Sequence, residues 1–282
     1  NIGLVYDFWG QYDKAIENYQ QALTLFKKLG NENMIGSSFN SIGMVYYSWD
    51  QYDKAIENFQ QALAIARKLG AEDKIALSLN HIGGVYNSWG QYDKAMENYQ
   101  QALTLSRKLG NEDEIATSLN NIGLVYDFWG QYDKAIENHQ QALAISRRLG
   151  KESGIAANLS NIGGVYSAWG QYDKAIEHYQ QALTLFRKLG EEYGIATSLN
   201  NIGRAYYDLQ QYLPAIKYLI ESIEISEKLR KTATGNARRD YLASQIGTYK
   251  LLIKSYQLNS EPAKAFEAME QGRSRLLAER LA

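Results

Sequence analysis

One stretch, residues 121–150 with the sequence NIGLVYDFWGQYDKAIENHQQALAISRRLG, returns every forty residues, with counterparts beginning at Asn1, Ser41, His81, Asn161 and Asn201. A period of this size restricts the chain to stacked supersecondary units, because each copy buries its apolar face only against the next. Domain number therefore cannot be taken from the length of 282 residues. The unit to count is the repeat.

The spacing inside one copy predicts two helices. Ile115, Leu119, Ile122, Tyr126 and Trp129 follow at steps of four, three, four and three, one face of a helix. Gly130 then suits the left-handed position that stops a helix, which a residue without a Cβ adopts at no steric cost. A second stripe runs through Tyr132, Ala135, Ile136, His139, Ala142, Leu143 and Leu149 and is closed by Gly150. Small residues stand where the two helices must approach: Gly43, Gly83, Gly123, Gly163 and Gly203 in the first, Ala135 and Ala142 in the second. The five tryptophans (Trp9, Trp49, Trp89, Trp129 and Trp169) continue the first stripe and are expected to pack between hairpins rather than form a stacking ladder for bases or sugars. Each second helix opens on an acid and closes on a basic pair (Asp93 with Arg107 and Lys108), complementing the helix dipole. A basic edge that holds an acidic partner is the alternative.

The pattern changes late in the chain. The sixth copy has Leu209, Gln210 and Leu213-Pro214 in place of Trp, Gly and Asp-Lys. The Ala-Ile alanine, which advances by forty residues from Ala15 to Ala215, next recurs fifty residues on at Ala265. Ten added residues around 231–239 are expected to form a loop, followed by a longer first helix over 237–257 and a last helix from Pro262. The organisation expected is residues 1–230 for six hairpins, the first incomplete, and 231–282 for a divergent seventh. Both ends interrupt the pattern, so further sequence is expected on each side, and exposed Ile2, Val5 and Trp9 would offer a surface for self-association.

Composition removes several function classes. Thirty basic residues against thirty-one acidic ones give no field for nucleic acid or an anionic membrane surface. Without cysteine there is no disulfide framework or thiol nucleophile, which fits a cytoplasmic protein, and this sequence shows neither a signal-peptide pattern at its start nor an apolar run of about eighteen residues that would span a membrane. Phosphate-binding loops, dinucleotide fingerprints and H-E-x-x-H are absent. His81, His139 and His178 occupy different repeat positions, so no metal site, cofactor or enzymatic activity is expected. His139 takes an aromatic core slot, His178 a solvated one.

The combination of Ile122-Gly123, Tyr126, Gly130, Tyr132, Ala135-Ile136, the aromatic slot at His139 and Ala142-Leu143 resembles the tetratricopeptide repeat. The longer period and the R-K-L-G ending are similar to the kinesin light chain type. That resemblance implies an all-α fold, a right-handed α-solenoid (superhelix) of stacked antiparallel helical hairpins whose first helices line the concave side. It also implies a non-catalytic scaffold for a protein or peptide partner. Near-identical Gly-Gln-Tyr-Asp-Lys-Ala copies followed by Glu270-Gln271-Gly272-Arg273-Ser274-Arg275 further resemble the repeat regions of bacterial, often cyanobacterial, proteins carrying a caspase-like CHAT domain. This likeness implies a sensor arm for an effector outside the chain.

In kinesin light chain type repeats the Asn before the apolar-Gly step holds the backbone of an extended peptide, and Asn121, Asn161 and Asn201 match it. Ser41 and His81 depart from it. A neighbouring row contains Asn80, Asn120 and Asn200, and the flanking positions vary from copy to copy: Gly84, Leu124, Gly164 and Arg204 in one row, Asn87 and Asp127 in another. Constant amides beside variable neighbours suit peptide recognition. The same amides would equally cap or bridge helices, and a self-assembling spacer without any peptide ligand is the rival class.

Overall fold

The computed structural model describes residues 2–232 and 235–281, with side chains in those ranges except at 8, 232–244 and 275–281. Asn1, expected at the head of the first Asn row, lies outside them. The described residues form fourteen helices in seven consecutive hairpins and no strand. The chain divides into two compact units, Asn1–Ser146 and Arg147–Ala282. In the first unit the helices are α1 (Ile2–Phe8), α2 (Tyr12–Lys28), α3 (Glu32–Ser48), α4 (Tyr52–Leu69), α5 (Glu72–Ser88), α6 (Tyr92–Leu109), α7 (Glu112–Phe128) and most of α8 (Tyr132–Arg148). The second holds α9 (Glu152–Ala168), α10 (Tyr172–Leu189), α11 (Glu192–Asp208), α12 (Tyr212–Thr232), α13 (Gly235–Leu258) and α14 (Pro262–Leu281).

Each hairpin turn is set by one left-handed residue. Gly130 has φ +67°, and the amide of Gln131 reaches back to the carbonyl of Tyr126 at 2.9 Å, closing the last turn of α7. Asp50, Gln210 and Ser260 take the same conformation without being glycine, with φ between 56° and 60°. The turn therefore survives loss of its preferred residue at a cost in strain.

Cores are shared between hairpins in both units. Ala95, Met96 and Tyr99 of α6 pack with Leu119, Ile122 and Val125 of α7 and Ala142 of α8, while Ile176 and Tyr179 of α10 pack with Leu199 and Ile202 of α11. Each buried Leu or Ile contributes on the order of 1.5–3 kcal/mol, and part of that benefit depends on the neighbouring copy. A Cβ placed on Gly123 would lie 2.7 Å from His139 Cε1, and one on Gly163 would lie 2.8 Å from the Tyr179 ring. These glycines are seats for the aromatic side chain of the following helix. The edges are tied by repeated ion pairs, Lys68 with Glu32, Lys108 with Glu72 and Lys188 with Glu152, each joining the end of a second helix to the start of its own first helix. Being exposed, each is worth at most about 1 kcal/mol.

Four expectations need correction. Trp89, Trp129 and Trp169 are 37–40 % exposed rather than buried, because each falls where the chain leaves the helix to turn. Trp49 and Trp89 do pack between hairpins, with ring centroids 5.7 Å from Tyr12 and 6.0 Å from Tyr52. Leu149, at the frayed end of the second stripe, is exposed as well. His178 is not merely solvated: its Nδ1–H donates to Lys174 O (2.8 Å) and its ring lies 5.3 Å from that of Tyr166. The loop expected over 231–239 is helix wherever it is described, since α12 runs to Thr232 and α13 starts at Gly235. Arg230 stands where the other copies have the stop glycine, so α12 continues, and Arg230 is buried in an ion pair with Glu227 at 3.2 Å.

Candidate functional site

The candidate residues lie on the first helices α3, α5 and α7 in the first unit and, taken separately, α9 and α11 in the second. Their core stripes face the second helices, leaving an opposite face that other helices do not cover. In each unit the first helices of neighbouring hairpins lie closer together than the second helices do, α5 meeting α7 and α11 meeting α13. Side chains bridge them directly: Tyr47 Oη and Ser88 Oγ are 2.7 Å apart, and Lys74 Nζ donates to Asn33 Oδ1 at 2.8 Å.

Two members of the row formed by Asn80, Asn120 and Asn200 take part in this bridging, and the third bonds within its own hairpin. Asn80, buried between α5 and α7, donates from Nδ2 to Glu114 Oε2 (3.0 Å) and accepts from Ser118 Oγ (3.1 Å) at Oδ1. Asn200 Oδ1 accepts from Thr248 Oγ1 at 3.0 Å. Asn120 Oδ1 accepts from His139 Nδ1 at 2.7 Å, fixing the tautomer of a ring that is 0 % exposed. His139 Nε2 is left buried without a partner, and burial lowers the imidazole pKa to about 4. His139 is therefore neutral and only half satisfied. His81 is lowered to about 4 by the same cause and lies 5.0 Å from the Phe59 ring.

The row of Asn121, Asn161 and Asn201 is half-buried on the flank of that face. The amides of Asn121 and Asn201 make no hydrogen bond among the described residues. Around them Leu124 is half-buried, Arg204 is exposed, and Gly84 and Gly164 leave open space: a Cβ there would meet only Tyr99 Oη or Tyr179 Oη, each at 3.8 Å. Asn87 and Asp127 each keep one side-chain oxygen enclosed and without a partner, and burial raises the Asp127 carboxyl above its usual value. Leu4 and Met44 extend the variable row as exposed apolar residues.

A row of small buried polar residues, Ser38, Ser78, Ser118 and Ser198, was not foreseen from the sequence. At forty-residue spacing the position is serine in these four copies and the buried Asn158 in the copy between, and that small polar row was the available signal. Among the described residues no group of three His, Asp or Glu side chains converges as metal ligands would, and no helix is long and apolar enough to cross a membrane.

Shared cores, left-handed hairpin turns and an uncovered first-helix face define an all-α solenoid of helical repeats. The tetratricopeptide repeat profile matches residues 1–68, 74–148 and 154–228, and the chain belongs to that family. Comparison with curated sequences gives no match. Solved structures of similar fold include BtubC (BKLC) from P. vanneervenii, at 21 % identity and a TM-score of 0.69 over 77 % of this chain and 92 % of that one. A putative kinesin light chain with nearly identical TPR-like repeats from Podosopora anserina gives 23 % and 0.56 over 76 % and 98 %. A Rap protein complexed with Competence and Sporulation Factor gives 16 % and 0.64 over 99 % and 94 %. Identities this low speak for the fold alone.

Proposed function

We propose that the protein is a non-catalytic scaffold that holds an extended peptide or partner segment on its first-helix faces, with Asn121, Asn161 and Asn201 gripping the partner's main chain. The observation that carries this reading is the state of Asn121 and Asn201: half-buried, repeat-equivalent, and with both amides unspent within the protein. A side-chain amide offers two donors and an acceptor, the complement of an extended backbone, and needs no particular partner side chain. Asn80 and Asn200 then act as spacers that keep neighbouring first helices at a fixed distance, while Asn120 ties its own first helix to His139 of the second. The variable neighbours Gly84, Asn87, Leu124 and Asp127 in the first unit, and Gly164 and Arg204 in the second, select among partner side chains. The Rap protein of similar fold was solved with a bound factor, which agrees with a binding role for such arrays. The absence of cysteine suits work in a reducing cytoplasm.

The test replaces Asn121, Asn161 and Asn201 with Ala together and compares the affinity for a peptide selected by display with thermal stability. Each lost hydrogen bond is expected to weaken binding by about 0.5–1.5 kcal/mol with little change in melting temperature. A large fall in melting temperature with unchanged affinity would assign the amides to the fold instead.

A further inference from the structure

The first-helix face of the Asn1–Ser146 unit is acidic. Among the described residues of α1, α3, α5 and α7, Lys74 is the only base, and its ammonium is turned to Asn33. Four lysines of the second helices are committed elsewhere: Lys14, Lys54, Lys94 and Lys134 each lie over a tyrosine ring of their own hairpin at 5.1–5.5 Å. Lys68 and Lys108 are paired with glutamates at the helix ends.

Two carboxylates on this face share one repeat position. Asp7 and Asp127 are half-buried, each with Oδ1 enclosed and unpartnered, and the same atom of Asn87 is enclosed and unpartnered in the copy between. Burial is the sole cause acting on both carboxyl groups, and no cation opposes it. With one oxygen sealed off, each anion depends on whatever meets its other oxygen. Apolar surface lies alongside: Leu124 is half-buried, and Phe128, 61 % exposed, stacks on Tyr92 at 4.8 Å between centroids.

We infer that the first-helix face of this unit selects a segment in which a lysine or arginine stands beside a bulky apolar residue, the cation meeting Asp127 and the apolar residue lying over Leu124 and Phe128. This rests on the groove reading and adds the class of partner. A carboxylate that has already lost part of its hydration gives up little more on binding, while its attraction for a cation exceeds that of a fully solvated one. An acidic segment would meet like charge and be rejected. The matching positions in the second unit, Gly164 and Ser167, then Arg204 and Tyr207, do not repeat this arrangement. The basic preference belongs to the first unit.

The experiment uses the full chain and a positional-scanning library of acetylated, amidated nonapeptides, each sublibrary fixed as Lys, Arg, Glu or Leu at one position. Retention of the Lys and Arg sublibraries over Glu by roughly tenfold, weakened by salt and cut about fivefold by Asp127→Asn at an unchanged melting temperature, is the expected result. Equal retention of Lys, Glu and Leu sublibraries, or a basic preference untouched by both Asp127→Asn and Asp7→Asn, would overturn it. If such charge-blind retention disappears in the triple Asn variant, the groove reading stands and only this inference falls. No retention of any sublibrary removes both.

Discussion

Replacing His139 with Tyr should make the protein less sensitive to acid by a calculable amount. Tyr99 and Tyr179 occupy the equivalent slot against Gly83 and Gly163 at nearly the same close approach, so a tyrosine fits opposite Gly123. The imidazole is fully buried, and its pKa is held at about 4 by desolvation. In the unfolded chain the ordinary value is about 6.5. Between these limits the unfolded state binds a proton that the folded state refuses, so stability rises with pH across the window and is lost as pH falls below the unfolded value. At about pH 4.5 this linkage removes roughly 2–3 kcal/mol from the wild-type protein, against almost nothing at neutral pH. Loss of the bond to Asn120 adds a cost to the variant that does not depend on pH. Urea unfolding followed by circular dichroism at neutral pH and near pH 4.5 should therefore show the stability difference, variant minus wild type, growing by roughly 2–3 kcal/mol on acidification. Parallel pH profiles would refute the assignment of a neutral, desolvated His139.

Three further outcomes follow from the packing. Gly123→Ala, whose Cβ would meet His139 at 2.7 Å, should lower stability by about 1–3 kcal/mol, whereas Gly84→Ala, with nothing nearer than Tyr99 Oη at 3.8 Å, should be neutral or gain up to about 1 kcal/mol. Thermal melts of the pair check this. Gln210→Gly relieves a left-handed φ of 59° and should stabilise the protein by about 1 kcal/mol, read as a raised urea midpoint. Lys108→Ala breaks an exposed pair with Glu72 and should cost less than about 1 kcal/mol in the same assay.

The hairpins were legible in the sequence because their determinants are local. Gly130 needs a left-handed turn, and Ile122 and Leu119 need one helical face; both requirements act within a few residues. The close approach at Gly123 was legible, but its partner was not: small Ala135 and Ala142 were expected to share the approach, and it is the His139 ring that fills the space at Gly123. The tryptophans misled because a helical wheel continues past the point where the chain turns away. The expected loop around 231–239 misled because Thr, Gly and Asn outweighed the missing stop glycine, whose place Arg230 takes. The use of Asn80 was out of reach for a different reason: its partners Glu114 and Ser118 lie 34 and 38 residues away, and only the register between hairpins brings them together. Sequence periodicity marks equivalent positions but does not say which of two adjacent amide rows turns inward. That choice separates Asn120, bonded to His139, from Asn121, left with its amide unspent.

The most direct measurement is the side-chain amide NMR spectrum of the protein titrated with a display-selected peptide. The account predicts that the signals of Asn121, Asn161 and Asn201 move with the occupancy of the peptide, while those of Gln100, Gln140 and Gln180 on the exposed sides of the second helices stay in place. Movement confined to the second-helix amides, with the three asparagines unchanged at saturation, would contradict it.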